Sequence, residues 1–537
     1  MSSRTPAPRT PASRKRRLVR LALQTCFAGA VIAAACSSQP DEAAPSPTEP
    51  AVTESVPSTD APTTSAATPT TEATPTTDAP VTTTDDGIAF TGFAADVQPI
   101  LESSCASCHT GAGPGTSHFP MDTAALVQDA AFEIGAATNV GYMPPWPAAD
   151  GDVAFHDDRR LTAAQIETIR AWVEAGAPLD VDPTTPLVAT AQTVTPIERD
   201  VVMAGQPYLG STAKRDDYRC RIFDPQLTEP GFLQGYAIEA DQTAVVHHAL
   251  LFRADASTRQ AAEQADAADP AIGWECGGLA GFAGGTGDVD QILSWAPGQD
   301  PTRLPADTGI PLAAGDFFVA QIHYHYDEAT NGLPPDSSRI VLDLASDEVI
   351  AAAGGSLDPI ELTLYLGPAE IPCSTGETGP LCDRATMQAQ LIETWGPAMG
   401  RIADFLMLQC GATLDDFAGM TNGIASSTCD LPATPGRIVS VWGHMHEIGA
   451  SFRMTLNPDT PEERVLLDIP TWSFDWQLDY RPIEAIVLDS DDVIRIECSW
   501  DRSLMDDDLE PRYVMWAEGT EDEMCYSQIV TRPAPGA

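Results

Sequence analysis

Six of the chain's nine histidines fall in three close pairs, His247-His248, His323-x-His325 and His444-x-His446, and Met524 follows them late in the sequence. Pairing of this kind suits a metal site, because one element then delivers two imidazole nitrogens. Scattered singly, nine histidines in 537 residues would be ordinary core or surface residues. Two nitrogen-rich groups plus a thioether favour copper, since imidazole suits Cu(II) and soft sulfur suits Cu(I). Zinc competes, because Glu447 directly follows His446 and would supply a hydrolase's general base.

A seventh histidine closes Cys105-Ala-Ser-Cys108-His109. Two thiols at that spacing add to the vinyl groups of a c-type haem, and the adjacent imidazole ligates its iron. A zinc site here would want a second pair, and up to Leu179 only His118 and His156 occur, singly. A thioredoxin-like dithiol would want alternating strands and helices around it. In Tyr142-Met143-Pro144-Pro145-Trp146 a proline-stiffened loop offers Met143 as the iron's far ligand, with Met121 and His118 as alternatives. These features resemble a small, all-α, class I-like cytochrome c domain over residues 87–183. His109 and Met143 as axial ligands fill both positions, which implies electron transfer and not oxygen binding.

The elements that must hold these residues are legible in outline. Phe93 to Leu101 reads as a first helix leading to Cys105. Thr162-x-x-Gln165 is a capping box opening a helix with Ile166, Ile169, Trp172 and Val173 on one face, ended by Gly176 and Pro178. From about Pro196 the pattern changes to short β-rich runs, among them Ala244 to Phe252, Phe317 to Tyr326, Arg437 to Trp442 and Val493 to Trp500, separated by Gly, Pro and Asp. Antiparallel sandwiches are expected. On a strand His444 and His446 share a face, whereas adjacent His247 and His248 point apart unless the strand is twisted, bulged or at an edge.

Arg14-Lys-Arg-Arg17 and Arg20 precede an apolar run, Leu21 to Ala35, that is too short to span a bilayer and ends at Cys36. It resembles a lipoprotein signal over residues 1–36. Cys36 would carry the lipid, anchoring the protein to the outer face of a bacterial cytoplasmic membrane or within the cell envelope. Residues 37–86 are Ser, Thr, Pro, Ala and acids without apolar periodicity, so they form a disordered tether. About fifty such residues reach roughly 40 Å. A net charge of −48 excludes nucleic acid as a partner, because phosphate binding needs clustered Lys and Arg. Of twelve cysteines, Cys26 leaves with the signal, Cys36 takes lipid and Cys105 and Cys108 take haem; eight remain, an even number fit for disulfides in an oxidising compartment.

The later motifs come in a recognisable order: Val246-His247-His248-Ala-Leu-Leu-Phe, Pro301-Thr-Arg-Leu-Pro305, Gln321-Ile-His323-Tyr, His444-Met-His446 and Asp522-Glu-Met524-Cys525. Over about Ile197 to Arg532 the chain resembles the copper type II, ascorbate-dependent monooxygenases of peptidylglycine and dopamine hydroxylation. The resemblance implies two all-β jelly-roll sandwiches, residues 190–345 and 346–537, facing each other across a solvent cleft with one copper each. His247, His248 and His323 would hold the electron-relay copper, and His444, His446 and Met524 the oxygen-binding copper. It further implies disulfides Cys220–Cys276 and Cys498–Cys525 and places Tyr218 and Gln321 near the relay site. Cys373 with Cys382 and Cys410 with Cys429 are paired on proximity alone.

The implied reaction is R–H + O₂ + two electrons + two protons giving R–OH + H₂O, at an activated C–H bond of a small molecule. The chain departs from the peptide-hydroxylating pattern at Trp442, where that family has an Arg for the peptide carboxylate, at Tyr526 and Gln528, which replace its Asn and Tyr, and at His325, which stands for a small residue. A C-terminal glycine peptide is therefore not the expected substrate. The expected cofactors are two copper ions and one covalent haem, which would pass electrons singly to the relay copper or first accept them from an external donor. The competing class is a non-catalytic haem and copper electron-transfer or copper-handling lipoprotein.

Overall fold

A computed structural model describes residues 90–190 and 201–534, except 112, 114, 117, 118, 211–213, 278, 279, 283–288, 297, 298, 300, 327–329, 331, 419–422 and 507. The expected signal, Cys36 and the tether lie outside the described residues, as does His118.

Residues 90–190 are helical. A π-turn, Phe93–Val97, runs into Gln98–Ser104 and then Ala106–His109, which carries the Cys-x-x-Cys-His residues. Ala124–Asp129, Ala131–Asn139 and Ala163–Glu174 complete the unit. Thr162 and Gln165 cap the last helix reciprocally, satisfying N–H groups that have no partner within its first turn. Its Ile169 and Trp172 are fully buried with Phe93 and Leu101, in a cluster that also takes Cys105 and Met121.

The rest is largely β-sheet, in the arrangement of two β-sandwich domains. The strands of the first are Val201–Ala204 (β1), Asp216–Phe223 (β2), Gly231–Glu239 (β3), Val246–Ala254 (β4), Trp274–Glu275 (β5), Val289–Trp295 (β6), Thr302–Arg303 (β7), Thr308–Leu312 (β8), Phe317–His325 (β9) and Arg339–Leu344 (β10). One sheet runs β5-β2-β9-β4-β6. The other runs β1-β10-β3-β8, with β7 on β3, and ends on Asp358–Pro359 (β11). Leu251, Phe318 and Ile322 from the first sheet meet Leu233, Ile340 and Leu342 from the second. Because β11 pairs in parallel with Thr308 and Gly309, this sheet extends past the boundary expected at residue 345.

The second domain contains Glu361–Gly367 (β12), Glu370–Ile371 (β13), Ile424–Pro432 (β14), Gly436–His444 (β15), Gly449–Leu456 (β16), Arg464–Ile469 (β17), Val487–Leu488 (β18), Val493–Asp501 (β19), Val514–Met515 (β20) and Cys525–Arg532 (β21). Its sheets run β12-β21-β15-β18 and β14-β19-β16-β17, and β13 pairs with β20 apart from them. Burial alternates residue by residue along β14 and β19, as a sheet with one wet face requires. Helices Arg384–Trp395 and Pro397–Cys410 interrupt the strands, a departure from the all-β expectation for residues 346–537. Their buried Met387, Leu391, Met399, Ala403 and Leu406 recur at helical spacing.

Disulfides join Cys220–Cys276, Cys373–Cys382, Cys410–Cys429 and Cys498–Cys525. Four of them place the chain in an oxidising, extracellular or periplasmic setting. Among the described residues no helix is long and apolar enough to cross a membrane.

Candidate metal centre

β9 lies between β2 and β4 at the centre of its sheet, and these three strands build the first cluster. Pairing of β4 with β9 slips between Val246, opposite Tyr324, and His248, opposite His323. That bulge falls at His247 and removes the alternation that would point adjacent histidines to opposite faces. One ligand atom from each of His247, His248 and His323 lies within 4.8 Å of the others. The Nδ1 atoms of His247 and His323 each stand 3.2 Å from Nδ1 of His248. A ring nitrogen is a donor or an acceptor, so no tautomer of His248 gives both neighbours a full hydrogen bond, whereas one cation at the convergence serves all three. Nε2 of His247 is buried with no hydrogen-bond partner. The donor set fits a metal ion.

Asp216 orients the third imidazole, a role for which the sequence carries no signal. It is paired in register with His325, two residues from the Tyr218–His323 pair. Its Oδ1 lies 2.8 Å from His323 Nε2 and 3.1 Å from His325 Nδ1, which leaves Nδ1 of His323 facing His248. A carboxylate on the far nitrogen fixes the tautomer and raises ligand basicity. Burial works to raise the carboxyl's pKa, but hydrogen bonds from His323 and His325 prevail and hold it well below the usual range. His325 is thus tied to Asp216, outside the three-imidazole cluster. Tyr218 stacks on His323 with ring centroids 4.1 Å apart, and Gln321 is buried with its amide 3.8 Å from Cys276 Sγ.

The second set stands at the ends of β15 and β21. His444 faces Tyr526 in register, and His446 and Met524 lie just beyond these strand ends, two residues from His444 and Tyr526 respectively. His444 Nδ1 meets Gln477 Oε1 at 2.5 Å and His446 Nδ1 meets the Asp522 carbonyl at 3.1 Å. With Nδ1–H donated to oxygen in each case, both Nε2 atoms keep their lone pairs for a metal. Burial lowers the pKa of His444 to about 4 and of His446 to about 3, keeping both rings neutral at neutral pH. Met524 is buried. Its neighbour Glu523 accepts from the His446, Met524 and Ile448 backbone N–H groups and from Trp500 Nε1, at 2.9 to 3.1 Å. Glu447 is held by Arg215 at 2.8 Å, which opposes the general-base role a zinc hydrolase would give it. Trp442 stacks on His444 at 5.3 Å and Tyr526 lies edge-on at 5.8 Å.

Among the described residues the two sets do not stand apart across a cleft: ring contacts and hydrogen bonds join them at the seam. His248 and His444 lie 5.7 Å apart, and Phe474 stacks on His247 at 4.2 Å. Across the seam Tyr218 donates to the Glu518 carbonyl at 2.5 Å, and Thr520 donates from N and Oγ1 to Asp216 Oδ2, each at 2.9 Å.

In the helical unit, Cys105 and Cys108 are free, and among the described residues no other cysteine is. Burial pushes the Cys105 thiol up to about 12, which opposes a redox dithiol. His109 Nδ1 lies 2.8 Å from the Phe119 carbonyl, which leaves Nε2 as the ring nitrogen not engaged by that carbonyl. A Cβ on Gly115 would come 2.7 to 3.0 Å from the His109 ring, so only glycine lets the backbone pass this close. The Met121 N–H donates to the His109 carbonyl at 2.7 Å, whereas Met143 follows Ala131–Asn139 and donates to Ala137 O.

Fold and site together define a disulfide-braced, largely β chain with two histidine sets meeting at a domain seam and a helical Cys-x-x-Cys-His unit before them. No family model matches the chain, and no curated protein matches it. Among solved structures it is similar to a protein crystallised from Eubacterium rectale, at 8% identity and TM-score 0.16 over 62% of this chain and 73% of that one. It is also similar to the subviral particle protein of infectious bursal disease virus, at 5% identity and TM-score 0.15 over 62% and 71%. A third, the Lactobacillus farciminis oxalate decarboxylase, shows 7% identity and TM-score 0.12 over 60% and 74%. Scores this low carry no argument about fold or activity.

Proposed function

We propose that the chain is an exported copper-dependent monooxygenase of the type II, ascorbate-dependent kind, built on two jelly-roll sandwiches and fused to a c-type cytochrome domain. The observation that carries it is the pair of complementary donor sets: three imidazoles converging through Nδ1, and two imidazoles held by Nδ1, with the backbone N–H groups of His446 and Met524 on the same Glu523 oxygen. Bound copper would supply one-electron storage at the first set and oxygen activation at the second.

The chain's own residues do the positioning. His247, His248 and His323 are fixed by the β4 bulge and by Asp216. His444 and His446 are fixed by Gln477 and the Asp522 carbonyl, and Trp442 and Tyr526 wall His444 with aromatic rings. That wall suits a small, uncharged or aromatic substrate. Cys105 and Cys108 would hold the haem, and His109 and Met143 are the residues that would ligate its iron.

A second reading has an observation in its favour. His323, His444, His446 and Met524 are each at most 6% exposed, as an electron-handling module without a substrate would have them. The test is copper and haem quantification on the full chain, then ¹⁸O₂ uptake with a reduced donor across a panel of amines, phenylalkyl compounds and lipids. One labelled oxygen atom in a product is the expected result. Oxygen consumption with label only in water or peroxide would establish the electron-handling reading instead.

A further inference from the structure

The loop between Ala131–Asn139 and Ala163–Glu174 of the helical unit docks on the second sandwich. Trp146 sits edge-on to Tyr480 with ring centroids 5.3 Å apart, and Phe155 meets the same ring at 5.2 Å. Trp146, Ala148 and Val153 belong to that sandwich's core. Backbone bonds seal the contact: Ala149 N to Asp468 O at 2.8 Å, His156 N to Arg481 O and Ile483 N to Ala154 O, each at 2.9 Å. The loop begins at Met143, three residues before Trp146.

Tyr480 is fully buried and lies on the segment that grips the metal ligands. Its N–H and C=O exchange bonds with Val441, both 2.9 Å, three residues before His444 on β15. Three residues before Tyr480, Gln477 holds His444 Nδ1 and its carbonyl accepts from Trp442 Nε1 at 3.2 Å. Phe474, six residues before Tyr480, stacks on His247. The segment therefore reaches both sets, by a shorter connection to His444 than to His247.

Resting on the functional reading above, we infer that electrons from the haem enter at the His444–His446–Met524 set, through Trp146, Tyr480 and the Gln477–His444 contact, and not at the His247–His248–His323 set. One electron is transferred, with oxidation of ferrous haem to ferric and reduction of a cupric ion to cuprous; no bond or proton moves. The external donor's electrons then reach the substrate-side metal without first crossing the seam. Trp146, Tyr480 and Gln477 are positioning residues in this scheme.

The test is flash photoreduction of the haem in the copper-loaded full chain, following haem reoxidation by absorbance and the copper signals by freeze-quench electron paramagnetic resonance. Fast reoxidation should survive His247→Ala/His323→Ala and be lost in His444→Ala/His446→Ala. Trp146→Ala should lose the fast phase and Trp146→Phe regain it. Gln477→Ala, which leaves every ligand in place, should slow it with both coppers retained, guarding against a ligand variant that misfolds. Fast reoxidation that survives loss of the His444 set and vanishes with the His247 set overturns the route, as does indifference to Trp146→Ala. A chain without covalent haem or without copper uptake overturns the functional reading itself, and is told apart by the metal analysis that precedes the flash.

Discussion

The imidazole of His248 lies against that of His444, 5.7 Å between ring centroids and close to perpendicular, although each belongs to a different sandwich. Two histidine sets in ring contact share their surroundings, and Asp216 is one bridge between them. Its Oδ1 serves His323 and His325 on the first side of the seam, and its Oδ2 accepts from Thr520 on the second, four residues before Met524. Asp216→Asn keeps the shape but puts an N–H where an acceptor is needed. Loss of such an orienting partner weakens metal binding by about 10–100-fold. Competition against a copper chelator should show that loss at the His247–His248–His323 set, with a smaller loss at the second set transmitted through Thr520.

His325 and His323 sit two residues apart on β9, yet only His323 belongs to the three-imidazole cluster. His323→Ala should lower the copper content by one equivalent. His325→Ala should leave it unchanged and only shorten retention of the metal, because what it removes is a hydrogen bond to Asp216. Metal analysis after gel filtration checks both.

Much of this was readable beforehand, for physical reasons. The His444-x-His446 spacing shares a strand face by the period of two, and the Thr162–Gln165 box is a local motif that needs no tertiary information. His247 and His248 required a strand that is twisted, bulged or at an edge, and β4 is bulged there. Asp216, Gln477 and Glu523 were not legible, because each acts through a partner tens to hundreds of residues away and no local spacing marks it. The closed seam is not legible for the same reason: it depends on Phe474 and Thr520, loop residues that no sequence pattern marks.

The buried rings set a pH limit on the apo chain. His444 and His446 titrate near pH 4 and 3 when folded and near 6.5 in an ordinary setting, so between these values the unfolded chain binds protons that the folded chain refuses. Stability therefore rises with pH across that window and is lost as pH falls from about 6.5 towards 4. Urea unfolding of the copper-free protein should show a falling midpoint over this range. His444→Gln/His446→Gln should flatten the dependence, and an unchanged slope in that variant would remove these two rings as its source.

Glu523 is the residue on which the second set's backbone hangs. Burial pushes its pKa up to about 8, and the N–H groups of His446, Met524, Trp500 and Ile448 oppose that by converging on its two oxygens. Glu523→Ala strands four buried donors at once. Since a single stranded donor costs about 1–3 kcal/mol, the loss should be at least about 4 kcal/mol of stability. Glu523→Gln keeps one oxygen for the three donors now on Oε2 and sets its amide against Ile448 N–H, so it should lose less. The ligand geometry follows the same order: His446 and Met524 flank this carboxylate's contacts, so copper at the second set should be released most readily in Glu523→Ala, less in Glu523→Gln, while the His247–His248–His323 set keeps its metal in both. Denaturant titration paired with site-resolved electron paramagnetic resonance reads the two effects separately, and equal metal loss from both sets would mean that the substitution had unfolded the seam and not the second site alone.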